Sequence, residues 1–336
     1  MKFRLSLVLL LASFFLPEKV KGQDIQFSQF YAASPYLNPG FAGSAHQTRG
    51  IFHQRLQWPR LEARYITSYF SADTYFDTYK SGVGFYAIRD IQGDNTISSN
   101  EVAAMYSYEL HILDNLSFRP GVQLTYISRL LNYSNLYFSN QIDDMGNIYL
   151  NNTGNPMTHF ISVASGGILY SDRFWFGYSS HHMNNPNQSF IGEESRLPVK
   201  HSFVGGYKFM LNKSRAGSYQ SNKTVSITPT FQYKFQGRSD QVDLGIYAMY
   251  DQLIAGFWYR GIPWLKRYLP NLQNNESAIV LVGWKFQSIS ITYSYDFTVS
   301  RLSPAQTGGS HELNITYLHQ GFRKKKKQKR IPCPKF

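Results

Sequence analysis

Gln287-Ser-Ile-Ser-Ile-Thr-Tyr-Ser-Tyr-Asp-Phe297 alternates without a break. Ile289, Ile291, Tyr293, Tyr295 and Phe297 occupy one parity; Ser288, Ser290, Thr292, Ser294 and Asp296 occupy the other. Successive side chains of a strand point to opposite faces, so this stretch carries an apolar-aromatic stripe backed by hydroxyls and a carboxylate. Its eleven residues suit a tilted bilayer crossing, whereas soluble strands average about 5–6. The pattern recurs at Val225, Ile227, Phe231, Tyr233 and Phe235 against Ser226, Thr228, Thr230, Gln232 and Lys234, with Pro229 on the apolar parity predicting a bulge or local break.

Working outward, period-2 reading places fourteen strands at 48–58, 61–72, 81–89, 98–111, 116–129, 158–170, 173–181, 198–210, 223–236, 239–250, 252–260, 277–286, 288–299 and 310–320. Long connections (130–157, 182–197, 261–276, 300–309) alternate with short ones at His111–Asn115, Ser171–Asp172, Asp251 and near Gln287. Outer-membrane barrels have this asymmetry of external loops and periplasmic turns; 59–60 and 211–222 break it. The fold expected is an all-β transmembrane antiparallel barrel of the outer-membrane type. The competing reading, a secreted β-sandwich, also alternates but has shorter strands and no use for 25 Tyr and 25 Phe, which aromatic girdles absorb.

Composition agrees. Hydrophobic residues make up 43% of the 336-residue chain, yet mean hydropathy is −0.34, as a greasy exterior around a wet lumen gives. The one apolar run, Leu5–Leu16, is too short to span and follows Lys2 and Arg4, which marks 1–22 as a secretory signal with Gln23 as the expected mature N-terminus. The net charge of +13 is concentrated in Arg323–Arg330 and the signal; the body, 23–322, is left at +2. No nucleic-acid-binding surface is indicated. The basic run reads as a solvated tail, or as a contact for anionic lipid or an acidic periplasmic partner. Cys333 is the only cysteine, so no intramolecular disulfide forms.

After the signal comes Gln23-Asp24-Ile25-Gln26-Phe27-Ser28-Gln29-Phe30-Tyr31, then Ser34-Pro35-Tyr36-Leu37-Asn38-Pro39-Gly40-Phe41-Ala42-Gly43. Arg55-Leu56-Gln57-Trp58 follows, Gly309-Ser310-His311-Glu312 precedes the last strand, and the chain ends Cys333-Pro334-Lys335-Phe336. In order and position these motifs resemble the PorP/SprF family of type IX secretion system membrane proteins, over the whole mature chain. The resemblance implies an outer-membrane barrel of Gram-negative bacteria that assists secretion or attachment of large surface adhesins through the cargo's C-terminal region. It implies partners in the periplasmic and outer-membrane parts of the machine and in the lipid bilayer, with no cofactor and no chemistry. Signature residues with interaction roles would be Gln23, Asp24, Phe27, Ser28, Gln29, Tyr36, Leu37, Asn38, Pro39, Gly43, Arg55, Trp58, His311, Glu312, Cys333, Pro334 and Phe336.

The resulting organisation is signal 1–22, signature segment 23–47, barrel 48–322 and basic periplasmic tail 323–336. Segment 23–47 has two prolines and no clean alternation, so it is not a strand. Its many large apolar side chains need burial, which predicts a plug in the lumen or a cover across the periplasmic mouth. Charges within strands (Arg55, Glu62, Arg64, Glu101, Glu109, Lys200, Lys208, Lys234, Asp243) should face the lumen or the rims.

Two patterns suggest chemistry and fail on geometry. His181 and His182, adjacent in a strand, would point to opposite faces and could not share a metal. Asp143-Asp144-Met145-Gly146-Asn147 lacks the ligand spacing of a calcium loop. No nucleophile, phosphate-loop or zinc motif is present. The reading is therefore a non-enzymatic secretion accessory, with a porin-like or uptake channel as the alternative.

Overall fold

The computed structural model describes residues 24–133, 156–190, 192–211, 225–237, 239–262, 267–269, 272–273, 275–299, 304–319 and 331. Among these, fourteen antiparallel strands close on themselves as a barrel. They are β1 Thr48–Gln57, β2 Tyr65–Phe76, β3 Ser81–Gln92, β4 Ile97–Tyr108, β5 Leu116–Leu131, β6 Met157–Tyr170 and β7 Phe174–His181. The second half is β8 Lys200–Tyr207, β9 Val225–Gln236, β10 Ser239–Tyr250, β11 Leu253–Gly261, β12 Asn275–Lys285, β13 Ile289–Thr298 and β14 Ser310–His319. Leu110–Leu113 prolongs β4, and Phe209–Met210 prolongs β8. Each strand pairs with its neighbour in sequence, and β14 returns to β1 from Thr48 opposite His319 to Gln57 opposite Ser310. Closure leaves no row of unpaired backbone groups, which a bilayer would not tolerate.

The alternation is inside-out relative to a soluble protein. In β13, Ser290, Thr292, Ser294 and Asp296 are buried, whereas Ile289, Ile291, Tyr293 and Phe297 are 39–45% exposed. Val122 and Leu124 on β5, Leu244 and Ile246 on β10 and Val280 and Val282 on β12 continue the outward apolar band. Buried hydroxyls and charges with exposed aliphatics are the sign of a wall between lipid and a polar lumen.

Departures from the sequence reading have local causes. The second strand starts at Tyr65 rather than 61, because Trp58 takes a left-handed backbone (φ 56°) and donates its N–H to the Gly309 carbonyl at 2.9 Å. The connection is thus 58–64, and one of the two misfits disappears. The other, between β8 and β9, is long and sits at the short-turn end. Pro229 does not break its own strand, which pairs with β10 in unbroken register. The interruption falls on β8, between Gly206 opposite Thr230 and Phe209 opposite Ile227. There Lys208 donates instead to the Arg173 carbonyl at 2.7 Å. A proline that cannot donate is tolerated where its neighbour has let go.

Residues 24–47 form no strand and run inside the barrel. Asp24 lies at the long-loop end, beside His182, Lys200 and Gln236. The segment descends through short turns at Ser34–Leu37 and Pro39–Phe41 and joins β1 at the opposite end. Of the two expected placements, a plug in the lumen agrees with this path: the first described residue is held at the long-loop mouth by His182, just past β7, and Lys200 of β8. The basic run 323–330 and Asp143–Asn147 lie outside the described residues. Ile331 is buried with Tyr31, Tyr247, Ile254 and Trp258, so at this residue the tail is packed against the barrel interior rather than solvated.

Candidate functional site

The signature residues converge on the lumen, where the segment 24–47 meets the barrel wall at three levels. At the long-loop end, the Asp24 carboxylate receives Lys200 Nζ at 2.7 Å and His182 Nε2 at 2.8 Å, and Gln236 Nε2 donates to it at 3.2 Å. Burial alone would push this carboxyl up, but His182 and Lys200, by charge and hydrogen bond, hold it well below the usual range. The Lys200 ammonium lies 5.0 Å from the centre of the Tyr36 ring. Burial raises the Tyr36 phenol well above its ordinary value, and its hydroxyl donates to the Ile25 carbonyl at 3.0 Å.

His181 and His182 are both buried. The strand ends at His181, and His182 adopts φ 58°, which turns its ring back inward instead of to the opposite face. Its Nδ1 lies 2.8 Å from Ser162 Oγ. Among the described residues no group of three or more His, Cys, Asp or Glu could hold a metal ion.

The middle level centres on Glu312 of β14. One carboxylate oxygen accepts the Ser28 N–H at 2.6 Å and the other accepts the Gln29 N–H at 2.9 Å. Arg55 of β1 pairs with Glu312, donates to Ser28 Oγ at 2.7 Å and reaches Asp296 of β13 at 3.1 Å. His53 Nε2 lies 3.1 Å from Glu312, and Ser28 Oγ bonds Asp296. The Gln29 amide donates to Ser294 Oγ at 3.0 Å and accepts from Thr292 Oγ1 at 2.7 Å. Arg260 of β11, paired with Asp243 at 2.8 Å, donates to the Phe27 carbonyl at 3.2 Å. The Phe27 ring lies 4.6 Å from His53 and 5.7 Å from Tyr69. Every group here is buried, and each charge has an opposite charge in reach, as burial demands.

At the third level the segment is held by shape and by its own carbonyls. Asn38 Nδ2 donates to the carbonyls of Tyr178 at 2.9 Å and Gly167 at 3.2 Å, while its Oδ1 accepts the Gly40 N–H at 2.8 Å. Ser179 Oγ donates to the Leu37 carbonyl at 2.9 Å. Arg119 and Ser107 donate to the Ala42 carbonyl at 2.9 and 2.7 Å, and the Gly43 N–H donates to Asp73 at 2.8 Å. Pro39–Gly40 passes so near the wall that a Cβ on Gly121 would lie 2.6 Å from Gly40 N, and one on Gly82 would overlap the Ala42 carbonyl.

The structure thus brings together Asp24, Phe27, Ser28, Gln29, Tyr36, Leu37, Asn38, Pro39, Gly43, Arg55 and Glu312. Trp58 stands at the rim against Tyr65, 5.7 Å between rings. His311 faces outward, 2.7 Å from Tyr293 OH, because it has the parity opposite to Glu312. Gln23, Cys333, Pro334 and Phe336 lie outside the described residues. Of the strand charges, Arg55, Glu101, Glu109, Lys200 and Asp243 are buried in the lumen, while Arg64 is exposed at the rim with Asp94. His53, Asp296, Arg260 and Arg119 complete the site without belonging to the motifs; only their inward parity marked them.

Comparison with known proteins accords with this architecture. A family profile described as type IX secretion system membrane protein PorP/SprF matches residues 19–317. No curated protein matches. Similar solved structures are outer-membrane barrels at low similarity. The Pseudomonas putida toluene transporter TodX is 10% identical, TM-score 0.43, over 84% of this chain and 93% of that one. Acinetobacter baumannii Omp33 is 9% identical, TM-score 0.42, over 82% and 98%. A KdgM porin is 7% identical, TM-score 0.34, over 81% and 99%. Likeness this low bears on no detail of function.

Proposed function

The chain belongs to the PorP/SprF family of type IX secretion system membrane proteins and is an outer-membrane barrel; from that premise we propose that it docks or anchors exported surface proteins and links them to the periplasmic machinery. The cargo, an adhesin-type protein, engages through its C-terminal region. Residues 1–22 direct export, and the tail 323–336 approaches from the periplasmic side, with Ile331 reaching the barrel interior. With strand ends assigned by the usual rule of short periplasmic turns, the long connections face outward and offer the docking surface. The protein binds and holds; it does not catalyse.

The observation that supports this reading over a porin is the filled lumen. Segment 24–47 runs from one mouth to the other, and its stretch Phe27–Gln29 is fixed by the buried Arg55, Glu312, Asp296 and Arg260. A pore needs a continuous aqueous path. Work is left to the surfaces at either end. At the long-loop end, the connection after β7 is folded: Gln188 N–H donates to the Ser195 carbonyl at 3.0 Å, and Leu197 is buried with Ile127 and Phe160. A preformed loop suits docking.

The test is a pull-down of tagged protein from detergent-solubilised outer membranes, with mass spectrometry of co-purifying chains and planar-bilayer conductance of the same preparation. Recovery of a large surface protein whose deletion of the C-terminal region abolishes capture, with no steady conductance, is the expected result. A partner-free protein with ohmic conductance would replace docking by the channel reading.

A further inference from the structure

Between the plug and the wall formed by β8, β9 and β10 lies a narrow cleft, partly open to solvent. It reaches from Leu37 up to Gln236 and Ser239, which flank the β9–β10 turn at the long-loop end. Its two sides differ in chemistry. The plug side carries an apolar face, Ile25, Phe27, Phe30 and Leu37, beside the polar Asp24, Gln26 and Tyr36. The barrel side is polar, with Ser202, Gln232, Gln241 and two lysines, Lys200 and Lys234.

The two lysines are not equivalent. Lys200 is committed to Asp24 at 2.7 Å. Lys234 faces the same cleft, yet none of the described carboxylates pairs with its ammonium. Asp243, the inward carboxylate of the adjacent strand, is engaged by Arg260 at 2.8 Å and Gln241 at 2.9 Å. A half-buried ammonium with no carboxylate in ion-pair contact among the described residues, across from an apolar face, is an incomplete site.

We propose that this cleft binds a monocarboxylate with an apolar body, its carboxylate on Lys234 and its body against Phe27, Phe30 and Leu37. A single charge is specified because, with Lys200 committed to Asp24, Lys234 is the one cleft ammonium left over among the described residues. A lone ammonium suits one carboxylate; a dianionic phosphate is better met by Arg forks, and none lines this cleft among the described residues. The carboxylate can belong to a free organic acid or to the free end of a peptide with an apolar last residue. The site is independent of the cargo reading above.

The experiment uses the full chain purified in detergent and titrated calorimetrically with 3-phenylpropionate, with a short peptide ending in phenylalanine, and with their neutral counterparts, 3-phenylpropanol and the amidated peptide. One or both acids should bind, and the neutral counterparts should bind at least about tenfold more weakly. Lys234→Met should lower affinity by a similar factor, and Lys234→Arg should keep most of it. Which acid binds identifies the source. No acid binding up to millimolar, equal binding of the neutral forms, or unchanged affinity in Lys234→Met overturns the proposal. A second readout needs no variant. Amine-directed labelling of Lys234, mapped by mass spectrometry, should be slowed by 3-phenylpropionate and not by 3-phenylpropanol; equal labelling rates overturn it as well.

Discussion

The two halves of the plug are held by different physics. Asp24–Gln29 is gripped by side-chain charge: Lys200 and His182 on one carboxylate, and Glu312 bridging two backbone N–H groups to Arg55. Asn38–Gly43 is gripped by fit, with Asn38 spanning two wall carbonyls and the chain passing over Gly82 and Gly121 with no room for a methyl group. The charged half depends on every partner being present, since a buried ion left alone is costly. The fitted half depends on nothing larger than hydrogen occupying two positions of the wall. The first kind of grip is sensitive to truncation and pH, the second to volume.

The largest effect is expected from Arg55→Ala. It leaves Glu312 and Asp296 buried without their shared guanidinium, a loss of about 3–5 kcal/mol. Denaturant unfolding in detergent should show it, with earlier proteolysis near Ser28. A stability within about 0.5 kcal/mol of wild type would mean that the charged half carries no weight. Next is Gly82→Ala, which forces the Ala42 carbonyl off the wall at about 1–3 kcal/mol. Here protection should be lost around Ala42 in hydrogen exchange while Ser28 stays protected, and loss at both places would merge the two halves into one unit.

A smaller effect follows from pH. The folded Asp24 carboxyl lies below its unfolded value, so its contribution is fully present above about pH 4 and is lost as pH falls from there toward the folded value. Exchange protection near Asp24 should hold down to about pH 4 and fall below it in the wild type, and be flat in Asp24→Asn. Identical profiles would remove Asp24 from the grip. The smallest effect is that of His311→Ala, which removes an outward contact with Tyr293 and should change stability by no more than about 0.5 kcal/mol. A loss comparable to that of Arg55→Ala would show that the outward face shares the load.

Much of this was legible in the sequence. Period 2 alone located all fourteen strands, because a bilayer enforces alternation on each of them: Ser294 and Asp296 inward, Tyr293 and Phe297 outward. What parity cannot report is backbone conformation that interrupts it. The left-handed turn at Trp58 moved the start of β2, and that at His182 reversed a side chain that alternation had sent outward. The motif residues of both chain ends were marked, but not that Ser28, Arg55 and Glu312 meet, since cross-barrel neighbours depend on closure. The course of the plug was hidden for the same reason: the partners that draw Asp24 to the long-loop mouth, His182 just past β7 and Lys200 on β8, stand far along the chain.

Closure has a consequence for biogenesis. Ser28 and Glu312 are 284 positions apart, and the strand carrying Glu312 is the last of the described strands. Until β14 zips onto β1, the Ser28 and Gln29 N–H groups lack their Glu312 acceptor, so sealing the seam completes the seating of the segment. Contacts so distant in sequence form late and slowly. A seated Ser28 is therefore a receipt for a finished barrel, issued by the last strand to the first residues of the chain.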